Sequence, residues 1–460
     1  MVENLRVIFL FPVRRRQKTP PPQASVDRTP IHSDSVIRIS SIILLTIVLA
    51  LPGWVPLASA EKSLEFVIDN NTFLKNLEYN DITEIVKGET LAGNITKPYF
   101  IYHFKKGLKA ELGLILNIPF GDENRVDEID PMISLHYDVL PGWRITAGTL
   151  HRDHPLLDAL FNDDLEFIDP AEQGFQIRAK TKHLRQDFWI DWERRETSNR
   201  REKFSLGNYT QYRWDGFMID GQILWNHKGG QKNNGGEVSN NLGLAFGGGV
   251  TFTPPAGTRS MLKRFGLNLH YIYTSDKPRS LKVAVEPDST SGGVLTELFA
   301  VIGDTDVFLK VWKGSRDRGS DNGQTLVSTP FLDGLRADKG DPLYRADDFV
   351  QVGFSRSWQI TDEVEILASI EATQVSGQLV HVDTVSVRWH EVFPLWKKKS
   401  QPKARSRTPD MESSSFIEEE PVETTVAPEE REEPREPRLK KKRPPSREPR
   451  QSYRQKRLSR

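Results

Sequence analysis

The sequence predicts an all-β protein: a transmembrane antiparallel β-barrel of about 16 strands, followed by a disordered C-terminal tail. Three observations lead to this prediction. Apolar and polar side chains alternate through residues 97–391 in stretches of about nine to twelve residues, longer than most strands of soluble sheets. Short turns alternate with long polar connections along the same region. No window holds the roughly 18 consecutive apolar residues of a transmembrane helix.

The first 60 residues predict an export signal behind a short prefix. Ile42–Leu51 form an apolar run of ten residues, too short to cross about 30 Å of hydrocarbon as a helix. A helix-breaking Pro-Gly pair follows, and the small residues Ala58–Ala60 complete the pattern of a signal peptide. We therefore expect a signal peptide over residues 36–60. Residues 1–35 are interpreted as a disordered prefix or a mis-assigned start.

Composition separates the expected barrel from its flanks. Residues 61–396 carry 37 Lys and Arg against 48 Asp and Glu, a net charge of −11, whereas the segments on both sides are basic. The chain contains no cysteine, which excludes a disulfide framework and any thiolate metal site.

One strand illustrates the alternation. Phe188, Ile190 and Trp192 share one parity, and Asp191 and Glu193 belong to the other. Successive side chains of a strand point to opposite faces, so the apolar set is expected to meet lipid and the acids to meet a wet lumen. A large soluble sandwich or jelly roll is the alternative interpretation of the same pattern.

The connections favour the membrane. Outer-membrane barrels have short periplasmic turns and longer external loops, and an even strand number brings both ends of the chain to the periplasm. The first strand, at 64–69, and the strand at 294–302 have weak signals, so 14 strands is the alternative count. The long connections are expected at 119–131, 151–173, 194–202, 227–240, 274–293 and 314–347.

Two sets of side chains are predicted to line the two faces of the wall. The polar members of each alternation are expected in the lumen: Lys109, Glu111, Asp138, Arg144, Arg178, Lys180, Asp191 and Glu193. Apolar and aromatic members are expected against lipid and in aromatic girdles at the headgroup level: Trp143, Phe188, Ile190, Trp192, Trp225, Tyr271 and Trp389.

With these features the chain resembles bacterial outer-membrane porin-type barrels. Two segments, FVIDNNTFLKNLEYNDITEIVKGETLAG at 66–93 and DFWIDWERRETSNRREKF at 187–204, are similar to parts of an uncharacterised outer-membrane barrel family of Bacteroidota type. The resemblance covers residues 61–396 and implies the barrel fold, but no established activity. Many such barrels end on a terminal aromatic residue, whereas here the candidate, Trp396, is followed by 64 more residues.

Residues 397–460 form three charge blocks, basic, acidic and basic, with few large apolar side chains. Such a segment cannot bury enough surface to offset its ordering entropy, so it is predicted to be disordered. An electrostatic partner in the periplasm, such as an anionic polymer or membrane surface, and a solvated tail without a dedicated partner are equally good interpretations. The export signal argues against nucleic acid.

The sequence shows no catalytic constellation and no cofactor motif. The strand histidines, His136 among them, look isolated, and none lies in a motif that names a serine partner. The densest cluster of polar side chains lies in the connection 151–173. Its carboxylates are expected to be solvated, with Asp163, Asp164 and Glu166 as weak candidates for a hard-cation site. No metal site is predicted.

Three functions remain open at this stage. A porin-like channel for small polar solutes is favoured, because 16 strands usually leave an aqueous channel. The alternative is a surface-display or adhesion scaffold with a plugged lumen, and a barrel hydrolase is the third. The connection 314–347 discriminates between the first two, because it closes the pore if it folds inward. The expected surroundings are the lipid bilayer of a Gram-negative-type outer membrane and the barrel-assembly machinery; the oligomeric state is left open.

Overall fold

The computed structural model describes residues 62–79, 88–121, 128–230, 238–255, 261–279, 289–315 and 337–397. They form a closed antiparallel barrel of 16 strands, in which each strand pairs with its sequence neighbours and the first strand pairs with the last. The predicted fold class and strand number are confirmed. The predicted signal peptide and tail lie outside the described residues.

The strands follow one another in chain order around the barrel. Their bounds are β1 Ser63–Glu78, β2 Glu89–Lys105, β3 Leu108–Pro119, β4 Glu128–Leu140, β5 Trp143–His151, β6 Ala171–Lys180, β7 Leu184–Arg194, β8 Glu202–Trp214, β9 Phe217–Gly229, β10 Val238–Phe252, β11 Leu262–Arg279, β12 Ser289–Ile302, β13 Thr305–Ser315, β14 Asp348–Gln359, β15 Val364–Val375 and β16 Gln378–Lys397. A single-turn helix, α1, covers Leu165–Ile168, and a 3₁₀ turn covers Pro342–Arg345.

The two ends of the barrel differ in their connections. At the turn end, where β1 begins and β16 ends, most connections have two to four residues, such as 106–107 and 360–363. At the loop end, most connections are longer, up to 316–347. The connection between β15 and β16 is an exception, because Ser376 and Gly377 alone form it, both with positive φ. From Lys106 to Thr361 the connections alternate as predicted, with the medium-length connection near 253–262 as the expected exception, and this hairpin lies beyond the predicted range.

The first and last strands are longer than the sequence indicated. β1 extends well beyond the expected 64–69 because its side chains become polar without leaving the sheet. Asn70 donates to Asn94 Oδ1 (3.0 Å) and to Thr96 Oγ1 (2.7 Å) on β2. At the other end, β16 continues through Trp396, which pairs with Leu64.

The outer surface of the wall is apolar, as a barrel in a bilayer requires. Large apolar side chains on the outward parity of the strands are about half exposed, including Ile133 (59%) and Phe175 (63%). Among the described residues, no helix has the length and hydropathy needed to span a membrane. Most inward side chains in the middle of the wall are buried or partly buried, because residues inside the barrel pack against them.

Candidate functional site

Of the residues that the structure describes, two segments outside the strands lie inside the barrel. These inner segments are residues 152–170, between β5 and β6, and residues 337–347, before β14. Leu156 and Leu160 of the first segment have no exposed surface and pack among inward side chains of the wall. The prediction of a solvated external loop at 151–173 is therefore wrong, because its apolar side chains draw this connection into the lumen.

The inner segments are bonded to each other and to the wall. Asn162 N donates to Lys339 O (2.6 Å), and Asp341 N donates to Asp158 O (2.8 Å). On the wall side, Trp312 Nε1 donates to Ala346 O (2.9 Å). The described part of the connection 314–347 thus folds inward, which was the arrangement expected of a constricted or closed lumen.

Two glycines allow the β5–β6 hairpin to leave the wall. Gly148 pairs with Gly174, and at this level the ladders to β4 and β7 both end, at the pairs Ser134–Gly148 and Gly174–Asp191. A Cβ on either glycine would collide with a carbonyl oxygen of the neighbouring strand, and Gly148 has a φ of +106°. No other residue type fits this close approach at a positive φ.

A buried histidine anchors the first inner segment. The His154 ring stacks on Trp189 with centroids 3.5 Å apart, and its two nitrogens lie 2.5 Å from Glu172 Oε2 and 3.1 Å from Asp187 Oδ2. Burial alone lowers the pKa of His154, but the charges and hydrogen bonds of Glu172 and Asp187 outweigh it and raise the pKa above its ordinary value. His154 is therefore held as an imidazolium between two carboxylates, which suits an anchor rather than a base.

A second ionic contact joins the other inner segment to the same region. Lys339 Nζ lies 2.6 Å from Glu193 Oε1 and 3.7 Å from Asp191 Oδ2. Asp191 in turn accepts from Gln173 N and lies 3.9 Å from Arg152 Nη2. The expectation that Asp191 meets a wet lumen is wrong, because its side chain is only 3% exposed.

An acidic cavity lies between the inner segments and the wall. The carboxylates of its lining are Asp158, Asp163, Asp164, Asp341 and Glu371, and its cations are Lys75 and Lys310. Burial raises the pKa of Asp341 to about 7; the bond from Leu343 N opposes this rise, and the nearby Asp164 and Asp158 add to it. Burial likewise raises the pKa of Asp164, against the opposing charge of Lys75.

The weak cation candidates are paired with basic side chains. Lys75 Nζ contacts Asp164 and lies 3.5 Å from Asp163, and Glu166 lies 3.5 Å from Arg388. In the described ranges, no three His, Asp or Glu side chains are arranged to hold a metal ion.

A chain of three polar side chains crosses β3, β4 and β5 on the inward face of the wall. His136 Nδ1 lies 3.0 Å from Thr146 Oγ1, and His136 Nε2 lies 3.2 Å from Glu111 Oε2. Lys109 Nζ donates to Glu111 Oε1 (2.6 Å). We call Thr146, His136 and Glu111 the wall triad; all three are buried. A hydroxyl, an imidazole and a carboxylate in this order form the arrangement by which hydrolases activate a nucleophile.

The expected lumen residues all belong to the inward parity of their strands. Arg178 contacts Asp153 and lies 3.1 Å from Asp187, whereas Asp138 and Arg144 pair at 2.6 Å near the turn end, half exposed. Lys180, at the end of β6, is exposed. The expected lipid-facing set has the outward parity, with Trp192 47%, Tyr271 56% and Trp389 40% exposed, and Trp143, Phe188, Ile190 and Trp225 partly exposed.

The inner segments and the wall triad were missed in the sequence. His136 looked isolated because its partners come from other strands, and only the register Glu111–Ser134 and His136–Thr146 brings the three together. For the first inner segment a signal existed: Leu156, Leu157, Leu160 and Phe161 are four large apolar residues in a connection assumed to be solvated.

Comparisons with known proteins gave matches among solved structures and sequence families. Solved structures similar to this chain include a loop L8 deletion mutant of OmpT from Vibrio cholerae (8% identity, TM-score 0.44), an anion-selective porin from Comamonas acidovorans (10%, 0.41) and the outer-membrane protein opdK from Pseudomonas aeruginosa (9%, 0.40). Each likeness covers 72% of this chain and 99% of the other. No curated protein sequence matches the chain.

One sequence family is matched over most of the barrel. The profile described as "Lipid A 3'-O-deacylase-type" aligns with residues 57–398, which include all 16 strands. The match gives the chain a family name that its own motifs did not supply. The chain belongs to the Lipid A 3'-O-deacylase-type family.

Proposed function

We propose that the protein is an outer-membrane hydrolase that releases an ester-linked acyl chain from a glycolipid of the lipid A class. The observation that carries this proposal is the wall triad, and the description of the family supports it. The sequence alone indicates no catalytic constellation, because the triad forms only through the register of three strands.

The geometry of the triad assigns a role to each member. Glu111 Oε2 lies 3.2 Å from His136 Nε2 without a hydrogen bond between them, and a small turn of the ring would direct the Nε2 proton to it. In that tautomer Nδ1 of His136 can accept the proton of Thr146 as its Oγ1 attacks the ester carbonyl. The ester C–O bond breaks, the sugar oxygen takes the proton from His136, and the acyl group stays on Thr146. Water then attacks this new ester with the same base, which releases the fatty acid and restores the threonine. Lys109 holds Glu111 in place.

The test is release of fatty acid from purified lipid A in mixed micelles, measured by mass spectrometry. Thr146→Val keeps the shape of the side chain and removes the nucleophile, so release is expected to fall on the order of 10³-fold. Thr146→Ser is expected to retain activity. Thr373, a buried threonine on β15, provides the matched control Thr373→Val, with activity unchanged. Undiminished release by Thr146→Val would exclude the wall triad as the catalytic group.

Passive passage of small polar solutes is the second candidate, supported by the number of strands. The two inner segments oppose it, because they occupy the lumen with apolar and paired charged side chains. A planar-bilayer recording on the refolded protein separates the two functions. The hydrolase proposal expects no stable conductance steps, and long-lived open steps would favour passage. A plugged scaffold for surface display shares the closed lumen and is distinguished by the absence of lipid A hydrolysis.

A further inference from the structure

The wall of the barrel has a seam between β4 and β5. Their ladder contains six pairs and ends toward the loop end at Ser134–Gly148, so it does not extend to Ile129–Ile133 of β4. The Thr149 side chain bridges the gap instead: its Oγ1 accepts from Ile133 N (3.0 Å) and donates to Pro131 O (3.4 Å). A side-chain bridge opens more easily than a continuous ladder, and Pro131 has no N–H with which to extend it.

An apolar trough lies inside the wall next to this seam. Its inward side chains belong to β1, β2, β3 and β4: Val67, Phe73, Ile95, Tyr99, Ile101, Ile115 and Met132. All are at most 9% exposed. An apolar patch of this size is unusual on the inward face of a barrel with a polar interior. From α1, Phe167 packs against this patch, and its ring lies 4.5 Å from that of Phe73.

The trough, the seam and the wall triad are contiguous. Met132 lies on the part of β4 beyond the end of the ladder to β5, two residues from Ser134 and four from His136. With about 3.4 Å per residue, the triad therefore lies about 14 Å from the start of the trough along β4, on the turn-end side of the seam. Outside the seam, Ile129 and Ile133 are each 59% exposed on the lipid-facing surface.

We propose that the seam between β4 and β5 admits a lipid acyl chain from the bilayer into the trough, where the chain takes the place of Phe167. Apolar surface then continues from the bilayer, past Ile133, to Met132 and the trough. The proposal rests on the proposed function for the fate of the ester, but the binding of the chain is tested without catalysis.

The absence of native cysteine allows the seam to be locked selectively. The variant Ile133→Cys with Thr149→Cys places two thiols across the seam, and the control Leu135→Cys with Ala147→Cys places them across a pair of the intact ladder on the same strands. Both are reconstituted in phosphatidylcholine vesicles that contain lipid A with terminal diazirines on its acyl chains. After illumination, labelled residues are identified by mass spectrometry, and heat-modifiable migration confirms that each variant is folded.

Labelling of Met132 is expected in the wild type and in the control pair, oxidised or reduced. In the locked variant it should fall at least tenfold on oxidation and return on reduction. Phe167→Ala should increase it. Labelling confined to outward residues such as Ile129, or Met132 labelling insensitive to the lock, would overturn the proposal and make Phe167 a permanent part of the core. If the wild type does not hydrolyse lipid A but its Met132 labelling is sensitive to the lock, the proposed hydrolase function is rejected and the proposed entry of the acyl chain through the seam is retained.

Discussion

The β5–β6 and β10–β11 hairpins are both antiparallel strand pairs of the wall, but they differ in length and in how far they pair with their neighbours. β10 and β11 have 15 and 18 residues and pair along 15 of them, so their hairpin stays in the wall along its length. β5 and β6 have only 9 and 10 residues, lose both outer neighbours at Gly148 and Gly174, and continue into the first inner segment. The shorter hairpin thus forms fewer ladder hydrogen bonds, and its connection packs inside the barrel as the first inner segment.

The difference between the two hairpins is tested most directly at Gly148, where β5 loses its pairing with β4. Gly148→Val forces a side chain against the carbonyl of Ile133 at a positive φ, so we expect the folded barrel to lose more than about 4 kcal/mol. Gly221→Val is the matched control, because no atom lies within 4 Å of its Cβ position. Urea titrations followed by heat-modifiable migration measure both. Equal unfolding midpoints for the two variants would show that position 148 does not require glycine.

The anchor of the first inner segment comes next in size. His154→Ala leaves Glu172 and Asp187 buried without their imidazolium, which should destabilise this segment by about 3 kcal/mol. Limited proteolysis of the folded barrel should then cut within 152–170. His227→Ala, which removes a partly buried ring bonded to Asn240, is the control and should leave the segment protected. Protection of 152–170 in both variants would mean that His154 is dispensable.

The third prediction concerns pH. The pKa of Asp341 is raised to about 7, so the folded state binds a proton that the unfolded state releases near pH 4. Stability from this group is therefore present at low pH and lost as pH rises from about 4 to about 7; the raised pKa values of Asp164 and His154 act in the same direction.

Asp341→Asn should remove much of this dependence and stabilise the packing of residues 337–347 inside the barrel by on the order of 2 kcal/mol at pH 8. The amide oxygen of asparagine can still accept from Leu343 N. Amide hydrogen exchange of residues 337–347 between pH 5 and pH 8 is the measurement. Faster exchange at the lower pH after correction for intrinsic rates would reverse the assigned sign.

The sequence predicts features that depend on residues close together in the chain, but not features that depend on contacts between residues far apart in it. The strands were predictable because Phe188, Ile190 and Trp192 report a two-residue period locally. The wall triad depends on register between three strands, which the same period leaves free. The carboxylates at 158–166 were predicted to be solvated because their buried partners, Lys75 and Lys310, are distant in the sequence.

The closure of the barrel has a mechanical consequence. β1 and β16 pair over 16 residues, from Ser63–Lys397 to Glu78–His381, so the two ends of the ring emerge side by side at the turn end. A force pulling these ends apart loads the hydrogen bonds of that ladder one after another, from Ser63 upward, rather than all together. The β1–β16 ladder should therefore open at low force, although it has 16 pairs. In a single-molecule extraction the remaining strands should then leave the membrane as successive hairpins.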